Sequence, residues 1–154
     1  MKTEAKQVAP IRVLSRTDRL TIPQIPAHSG PAIDSLFEVL KRQNVKPAGD
    51  LTYIYHGCDG TPTTPFDLEI CVPVPADAKF TPGANMELKS TPAFKCVATD
   101  FVGPMTKIGE SWMNFVQSIC AAGHKPTDQS REIYKKWISF DSADNVTELQ
   151  QGVA

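Results

Sequence analysis

A set of residue matches separated by one constant spacing is the feature that most constrains how this chain can fold. A constant spacing across separate segments is the signature of an internal repeat. Chance coincidence between common residues is the alternative, and the order of the predicted elements below argues against it. Three matches share a spacing of 79 positions: Lys46-Pro47 with Lys125-Pro126, Ile54-Tyr55 with Ile133-Tyr134, and Glu69 with Glu148 (125 − 46, 133 − 54 and 148 − 69).

Two segments have the apolar spacing of amphipathic helices, and each follows a Gly-Pro pair. Proline is well tolerated at the first helical position, because its missing N–H would have no partner there. We therefore predict one helix from Gly30-Pro31 to near Asn44, and a second from Gly103-Pro104 to a left-handed Gly123. The two Gly-Pro pairs are 73 positions apart (103 − 30), which requires about six extra residues in the second helical region.

Apolar and polar residues alternate at period two in the segments around these helices, as is typical of strands. With the helices, they give the order strand, helix, strand, strand, written twice. The predicted fold class is α+β: two tandem βαββ modules with pseudo-twofold symmetry, antiparallel sheets, two long helices on one side, and a ligand cleft between the modules. One domain is expected over 1–154, with module one at about 8–75 and module two at about 90–153. The predicted strands are 8–15, 18–26, 51–56, 66–74, 92–102, 130–139 and 145–153.

The repeat also predicts which side chains share a face. In 66–72 the even positions are apolar and are expected to pack on a helix, whereas Glu69 faces the other way. Ile54 and Ile133 are interpreted as core residues, which puts their tyrosine and glutamate neighbours on the face away from the helices. The alternative is that this face is simply wetted by solvent. The groove predicted on that face is lined by Tyr53, Tyr55, Glu69, Glu132, Tyr134 and Glu148.

Tyrosines and glutamates together suit a small organic ligand. Tyrosine rings give flat apolar walls, and carboxylates among them attract a cation through charge and cation–π contact. The same groups could support catalysis, since Glu132 or Glu148 beside Tyr134 could serve as a general base or a nucleophile. The residues alone do not separate binding from catalysis, and binding is favoured.

Composition narrows the possible partners. The chain is 41% apolar and 21% charged with a net charge of −1, so it is expected to be globular and not drawn to nucleic-acid phosphates. No apolar stretch approaches the length of a membrane span, and a cytoplasmic location is expected. His56 and Cys58 lack the second pair of ligands that a structural zinc site needs, so no metal and no cofactor is expected.

Several motifs together resemble the GyrI-like superfamily, and the resemblance covers nearly the whole chain from about Val8. That superfamily includes the effector-binding domains of multidrug-responsive transcription activators, the DNA gyrase inhibitory protein, and members described as hydrolases of reactive small molecules. The motifs are Arg131-Glu132-Ile133-Tyr134, Thr147-Glu148-Leu149-Gln150, Gly103-Pro104 before a tryptophan-bearing helix, and the segment from Phe66 to Val74.

The resemblance implies a duplicated βαββ fold with a glutamate at the base of a ligand cleft. That glutamate corresponds to Glu132 or Glu148, and the implied aromatic walls are Tyr55, Trp112, Tyr134 and Trp137. A regular strand would turn Trp137 to the face opposite Tyr134 unless a bulge re-aims it. The implied function is a stand-alone domain that senses or sequesters a hydrophobic or cationic compound. The alternatives are a hydrolase of electrophilic small molecules, or a modulator of a protein partner such as gyrase or a transcription regulator.

Overall fold

The computed structural model describes residues 2–154 and consists of one antiparallel sheet with two helices. The helices are α1 (Ile25–Arg42) and α2 (Ile108–Ala121), each preceded by one turn of 3-10 helix. The strands are β1 (Glu4–Val8), β2 (Arg12–Leu20), β3 (Thr52–His56), β4 (Phe66–Pro73), β5 (Met86–Ser90), β6 (Phe94–Val102), β7 (Pro126–Lys136) and β8 (Val146–Val153).

The strand order confirms the predicted α+β class and its two βαββ modules. The order is β1-β6-β8-β7-β3-β4-β2-β5, so β2, α1, β3 and β4 form module one, and β6, α2, β7 and β8 form module two. The modules meet where β3 pairs with β7. The two remaining strands are exchanged: β1 pairs with β6 of module two, and β5 pairs with β2 of module one.

The pairing of the two central strands locates the pseudo-twofold axis. Tyr53 of β3 lies directly opposite Glu132 of β7. These two residues are themselves separated by the repeat spacing of 79 (132 − 53). Each is therefore the other's equivalent, and the axis relating the modules passes between them. A tyrosine and a glutamate thus occupy matching places at the centre of the sheet.

The start of the first helix differs from the prediction. Helix α1 begins at Ile25, and Pro31 lies inside it. One missing backbone donor does not end the helix, because Ile25 before the proline and Leu36 after it pack on the same core. The two helices therefore begin 83 positions apart (108 − 25), and it is the first helix that is longer, with 18 residues against 14. The predicted positive φ at Gly123 is confirmed, at 89°.

The strand predictions are correct in the centre of the sheet and wrong at its edges. The segments predicted as 8–15 and 18–26 form one strand, β2, followed by 3-10 and α-helix from Ile22. Edge strands β1 and β5 were not predicted, because neither has the regular alternation of a half-buried strand.

The predicted assignment of faces is wrong for the tyrosines and Glu132. Tyr53 lies opposite Ile70, and Glu132 lies opposite Leu149; both partners face the helices. Ile54 instead packs with Val13 and Cys71 on the other face of the sheet. Both faces of β3 are buried, so an isoleucine in that strand does not indicate which face the helices cover.

Candidate functional site

The side chain of Glu132 is the centre of a hydrogen-bonded cluster on the helix face of the sheet. Its Oε1 accepts hydrogen bonds from the hydroxyls of Tyr55, at 2.7 Å, and Tyr134, at 2.6 Å. Its Oε2 accepts a third from the indole Nε1 of Trp112, at 2.7 Å. Three neutral donors from three elements therefore hold one carboxylate in place.

Local structure explains why these donors converge. Glu132 and Tyr134 are two positions apart in β7 and share a face. Tyr55 projects from the same face of the adjacent strand β3, two residue pairs along from the axis. Trp112 lies on the stripe of α2 that also buries Phe115, whose ring centroid is 5.7 Å away. The spacing of side chains in strand and helix is thus sufficient to assemble the cluster.

The carboxylate of Glu132 is buried without a positive charge. The residue is only 5% exposed, and within residues 2–154 no lysine, arginine or histidine lies within 4.0 Å of it. Removing a carboxylate from water is costly unless it is hydrogen-bonded or paired with a cation. Glu132 has the hydrogen bonds but not the cation.

The phenols around Glu132 remain protonated well into the alkaline range. Burial, together with the nearby negative charge of Glu132, raises the pKa of Tyr53 to about 12. The same two causes raise the pKa of Tyr55 and of Tyr134 well above the ordinary value. The hydroxyls of Tyr55 and Tyr134 therefore keep their protons and donate hydrogen bonds to the carboxylate.

A line of aromatic rings connects the buried cluster with the surface. The ring of Tyr134 lies edge-on to Tyr53, at 5.0 Å between centroids, and edge-on to Trp137, at 5.9 Å. Trp137 is 51% exposed. The register of β7 shifts between Tyr134 and Lys136, which is the irregularity needed to aim Trp137 toward Tyr134.

The structure places Glu69 and Glu148 away from this cluster, on the opposite face of the sheet. Glu69 contacts His56 and Lys89, and Glu148 contacts Lys6 at 2.8 Å. Burial opposes ionisation of both, but hydrogen bonds from these partners outweigh it and lower their pKa, to about 2 for Glu69. Each of these carboxylates already has a cation supplied by the protein.

Six of the eight predicted site residues therefore come together, and two do not. The sequence left Glu132 and Glu148 as alternatives for the cleft glutamate, and only Glu132 lies among the aromatic residues. The sequence analysis did not place Phe66 among the site residues, although its ring centroid is 5.7 Å from that of Tyr55. The apolar alternation of β4 was the signal that could have identified it. The six clustered residues are Tyr53, Tyr55, Trp112, Glu132, Tyr134 and Trp137.

The sequence matches no protein-family profile and no curated protein. Solved structures do match. The EcmrR C-terminal domain has a TM-score of 0.82 at 21% identity, with 99% of this chain and 97% of that chain covered. In an EcmrR–DNA complex the TM-score is 0.81 at 22% identity, and this chain covers 57% of the EcmrR chain. SAV2435 bound to tetraphenylphosphonium has a TM-score of 0.66 at 13% identity, with 100% and 94% covered. The chain therefore shares its fold with the EcmrR C-terminal domain and with SAV2435.

Proposed function

We propose that this chain binds a small hydrophobic cation on the helix face of the sheet, where the two modules meet, with Glu132 as its charged anchor. The observation that carries the proposal is the carboxylate of Glu132, which is buried and hydrogen-bonded by three neutral donors. A cationic ligand would supply the one interaction that the protein itself does not provide.

The aromatic side chains around Glu132 suit such a ligand. The faces of tyrosine and tryptophan rings attract cations while also burying apolar surface. Tyr134 and Trp112 are partly exposed, so they lie on the side from which a ligand can approach. To reach Oε2, a ligand must displace the indole of Trp112, which donates to that oxygen. The tetraphenylphosphonium bound by SAV2435 has this chemistry: one positive charge surrounded by aromatic rings.

Hydrolysis of an electrophilic compound is the alternative in the same place. It would use Glu132 as nucleophile or base. The hydroxyls of Tyr55 and Tyr134 keep their protons and donate hydrogen bonds to Oε1, so that oxygen is already occupied and is not free to attack an electrophile. The geometry therefore favours binding over turnover.

Paired probes of the same shape and opposite charge test the proposal. We expect isothermal titration calorimetry to show that tetraphenylphosphonium binds the wild type and that tetraphenylborate does not. Glu132→Gln should weaken tetraphenylphosphonium binding at least about tenfold, since a lost charge pair in a buried site is worth more than about 1.4 kcal/mol. Circular dichroism should show an unchanged fold.

Glu148→Gln is the matched control, because Glu148 is a partly buried glutamate already paired with Lys6 on the opposite face. It should leave the affinity for tetraphenylphosphonium unchanged. Equal affinity of wild type and Glu132→Gln for the cation would sink the proposal. Turnover of an electrophile panel that disappears in Glu132→Gln would instead favour the hydrolase.

A further inference from the structure

A second buried polar group without a partner lies beside the Glu132 cluster. Thr147 of β8 is 1% exposed, and its hydroxyl Oγ1 has no hydrogen-bond partner within residues 2–154. A buried hydroxyl that makes no hydrogen bond costs stability relative to a methyl group of the same size. The free protein therefore gains nothing from this oxygen.

The register of the sheet places Thr147 next to the proposed ligand site. It lies directly opposite Tyr134 on β7 and opposite Phe101 on β6. Residues opposite each other share a face, so Thr147 lies on the helix face with Tyr134 and Glu132. Glu132 is its diagonal neighbour, and such positions are about 7–8 Å apart.

The equivalent position in module one shows that the fold does not need this hydroxyl. The repeat spacing of 79 relates Thr147 to Leu68 (147 − 68), which is fully buried in the core of its module. A second buried threonine in module two, Thr99, does use its hydroxyl, which donates to the carbonyl of Lys2 at 2.7 Å. The unused hydroxyl is thus peculiar to Thr147 among these three positions.

We propose that the Thr147 hydroxyl is a second polar contact for the ligand, which would be a hydrophobic cation carrying an oxygen substituent on an aromatic ring. The inference rests on the proposed function and narrows its ligand class. The positive centre is held by Glu132, and the ring oxygen reaches Thr147 past Tyr134. A hydroxyl both donates and accepts, so a phenol or an aryl ether satisfies it.

Two probes that differ by one oxygen test this contact. We compare tetraphenylphosphonium with (4-hydroxyphenyl)triphenylphosphonium by isothermal titration calorimetry. The wild type should bind the hydroxylated probe about fivefold more tightly, the effect of one net hydrogen bond. Thr147→Val should remove that preference, leave the affinity for tetraphenylphosphonium unchanged, and raise the melting temperature of the free protein.

Two variants serve as controls. Thr147→Ser retains a hydroxyl and should keep the preference. Thr99→Val removes a hydroxyl that is already bonded, so it should lower the melting temperature and keep the preference. The inference is overturned if the wild type binds both probes equally, if Thr147→Val keeps the preference, or if that variant lowers the melting temperature. When tetraphenylphosphonium binds and the preference is absent, only this inference fails; when neither probe binds, the proposed function fails with it.

Discussion

Glu132 of β7 and Glu69 of β4 are both buried glutamates of inner strands, yet they lie on opposite faces of the sheet in opposite electrostatic surroundings. Glu69 contacts Lys89 and His56, whereas Glu132 is bonded, among residues 2–154, only by phenols and an indole. The comparison teaches that burial of a carboxylate does not by itself indicate a ligand site. What distinguishes the two glutamates is whether the protein supplies the compensating charge.

The face of the sheet that carries Glu69, Lys89 and His56, called the charged face below, has an equivalent set of charged residues in module two. Glu148 is the equivalent of Glu69, and Lys135 is the equivalent of His56, each at the spacing of 79 (148 − 69 and 135 − 56). Lys135 lies 3.7 Å from Glu148, and Lys6 from edge strand β1 corresponds to Lys89 from edge strand β5. In both modules, then, a lysine on an exchanged strand neutralises a glutamate of the module that receives it.

Protonation of Glu69 and Glu148 in acid should remove the ion pairs of the charged face and destabilise the protein. The pKa of Glu69 falls from 4.5 to about 2 on folding, and the pKa of Glu148 also falls. Their contribution to stability is complete above the unfolded pKa and is lost as pH drops toward 2. We expect Glu69 alone to account for about 3 kcal/mol of that loss, measured by urea unfolding between pH 5 and pH 2. The free energy of unfolding of a Glu69→Gln variant should fall less between pH 5 and pH 2 than that of the wild type. An equal fall in the two proteins would contradict this account.

Lys89→Met removes the cation of the most buried pair on that face. Glu69 would then keep only its contacts with His56 and Ser15 in the described part of the chain, and we expect a loss of about 2 kcal/mol in the free energy of unfolding at pH 7. Lys6→Met is the matched change in module two and should cost less, because the side chain of Glu148 is more exposed than that of Glu69. Equal stability of wild type and Lys89→Met would show that the pair is energetically neutral.

Trp112→Phe tests the hydrogen bonds of Glu132, on the helix face of the sheet. It removes the only donor to Oε2 of Glu132 within the described part of the chain and leaves that oxygen of a buried carboxylate unbonded. We expect a cost of about 1.5 kcal/mol in thermal or urea unfolding, typical of a hydrogen bond to a charged group. Trp137→Phe, at an exposed ring of similar size, should change stability by less than about 0.5 kcal/mol.

The three tyrosines of the chain report on the charge of Glu132, because all of them belong to the cluster. With raised pKa values they stay neutral in the folded protein where a free tyrosine, with a pKa near 10, ionises. Their contribution to stability is present below pH 10 and is lost as pH rises further. We expect tyrosinate absorbance to appear only together with loss of the circular dichroism signal.

The Glu132→Gln variant is the corresponding control for the titration. Without the negative charge, the pKa of each phenol should fall, so tyrosinate absorbance should appear at lower pH than in the wild type. Identical titration curves for the two proteins would contradict this account of the tyrosine pKa values.

Much of the central architecture was predictable from the sequence. The period-two rule places Glu132 and Tyr134 on one face without reference to the rest of the fold, and the apolar stripe of α2 identifies Trp112 as a neighbour of the core. The choice between Glu132 and Glu148 was not predictable, because it depends on which face the helices cover. With both faces of β3 buried, alternation in that strand carries no information on this point.

The cations of the charged face could not have been found from the sequence either. Lys6 and Lys89 lie on edge strands that are mostly exposed and have no apolar alternation. Lys6 is 142 positions from Glu148, and Lys89 is 20 positions from Glu69 on a strand that does not pair with β4, so no local pattern relates the lysines to these glutamates (148 − 6 and 89 − 69). Long-range pairing of charges depends on the order of strands in the sheet, which is a property of the whole fold.

Because the edge strands are exchanged, each half of the chain supplies an edge strand to the module formed by the other half. A cut in the connection 74–85 would produce an N-terminal fragment that holds an edge strand of module two, and a C-terminal fragment that holds an edge strand of module one. Three separate strand pairings would still join the fragments: β1 with β6, β3 with β7, and β2 with β5. Co-expressed as two polypeptides, the halves should therefore co-purify as a heterodimer, and the proposed ligand site on the pseudo-twofold axis would form only when they meet.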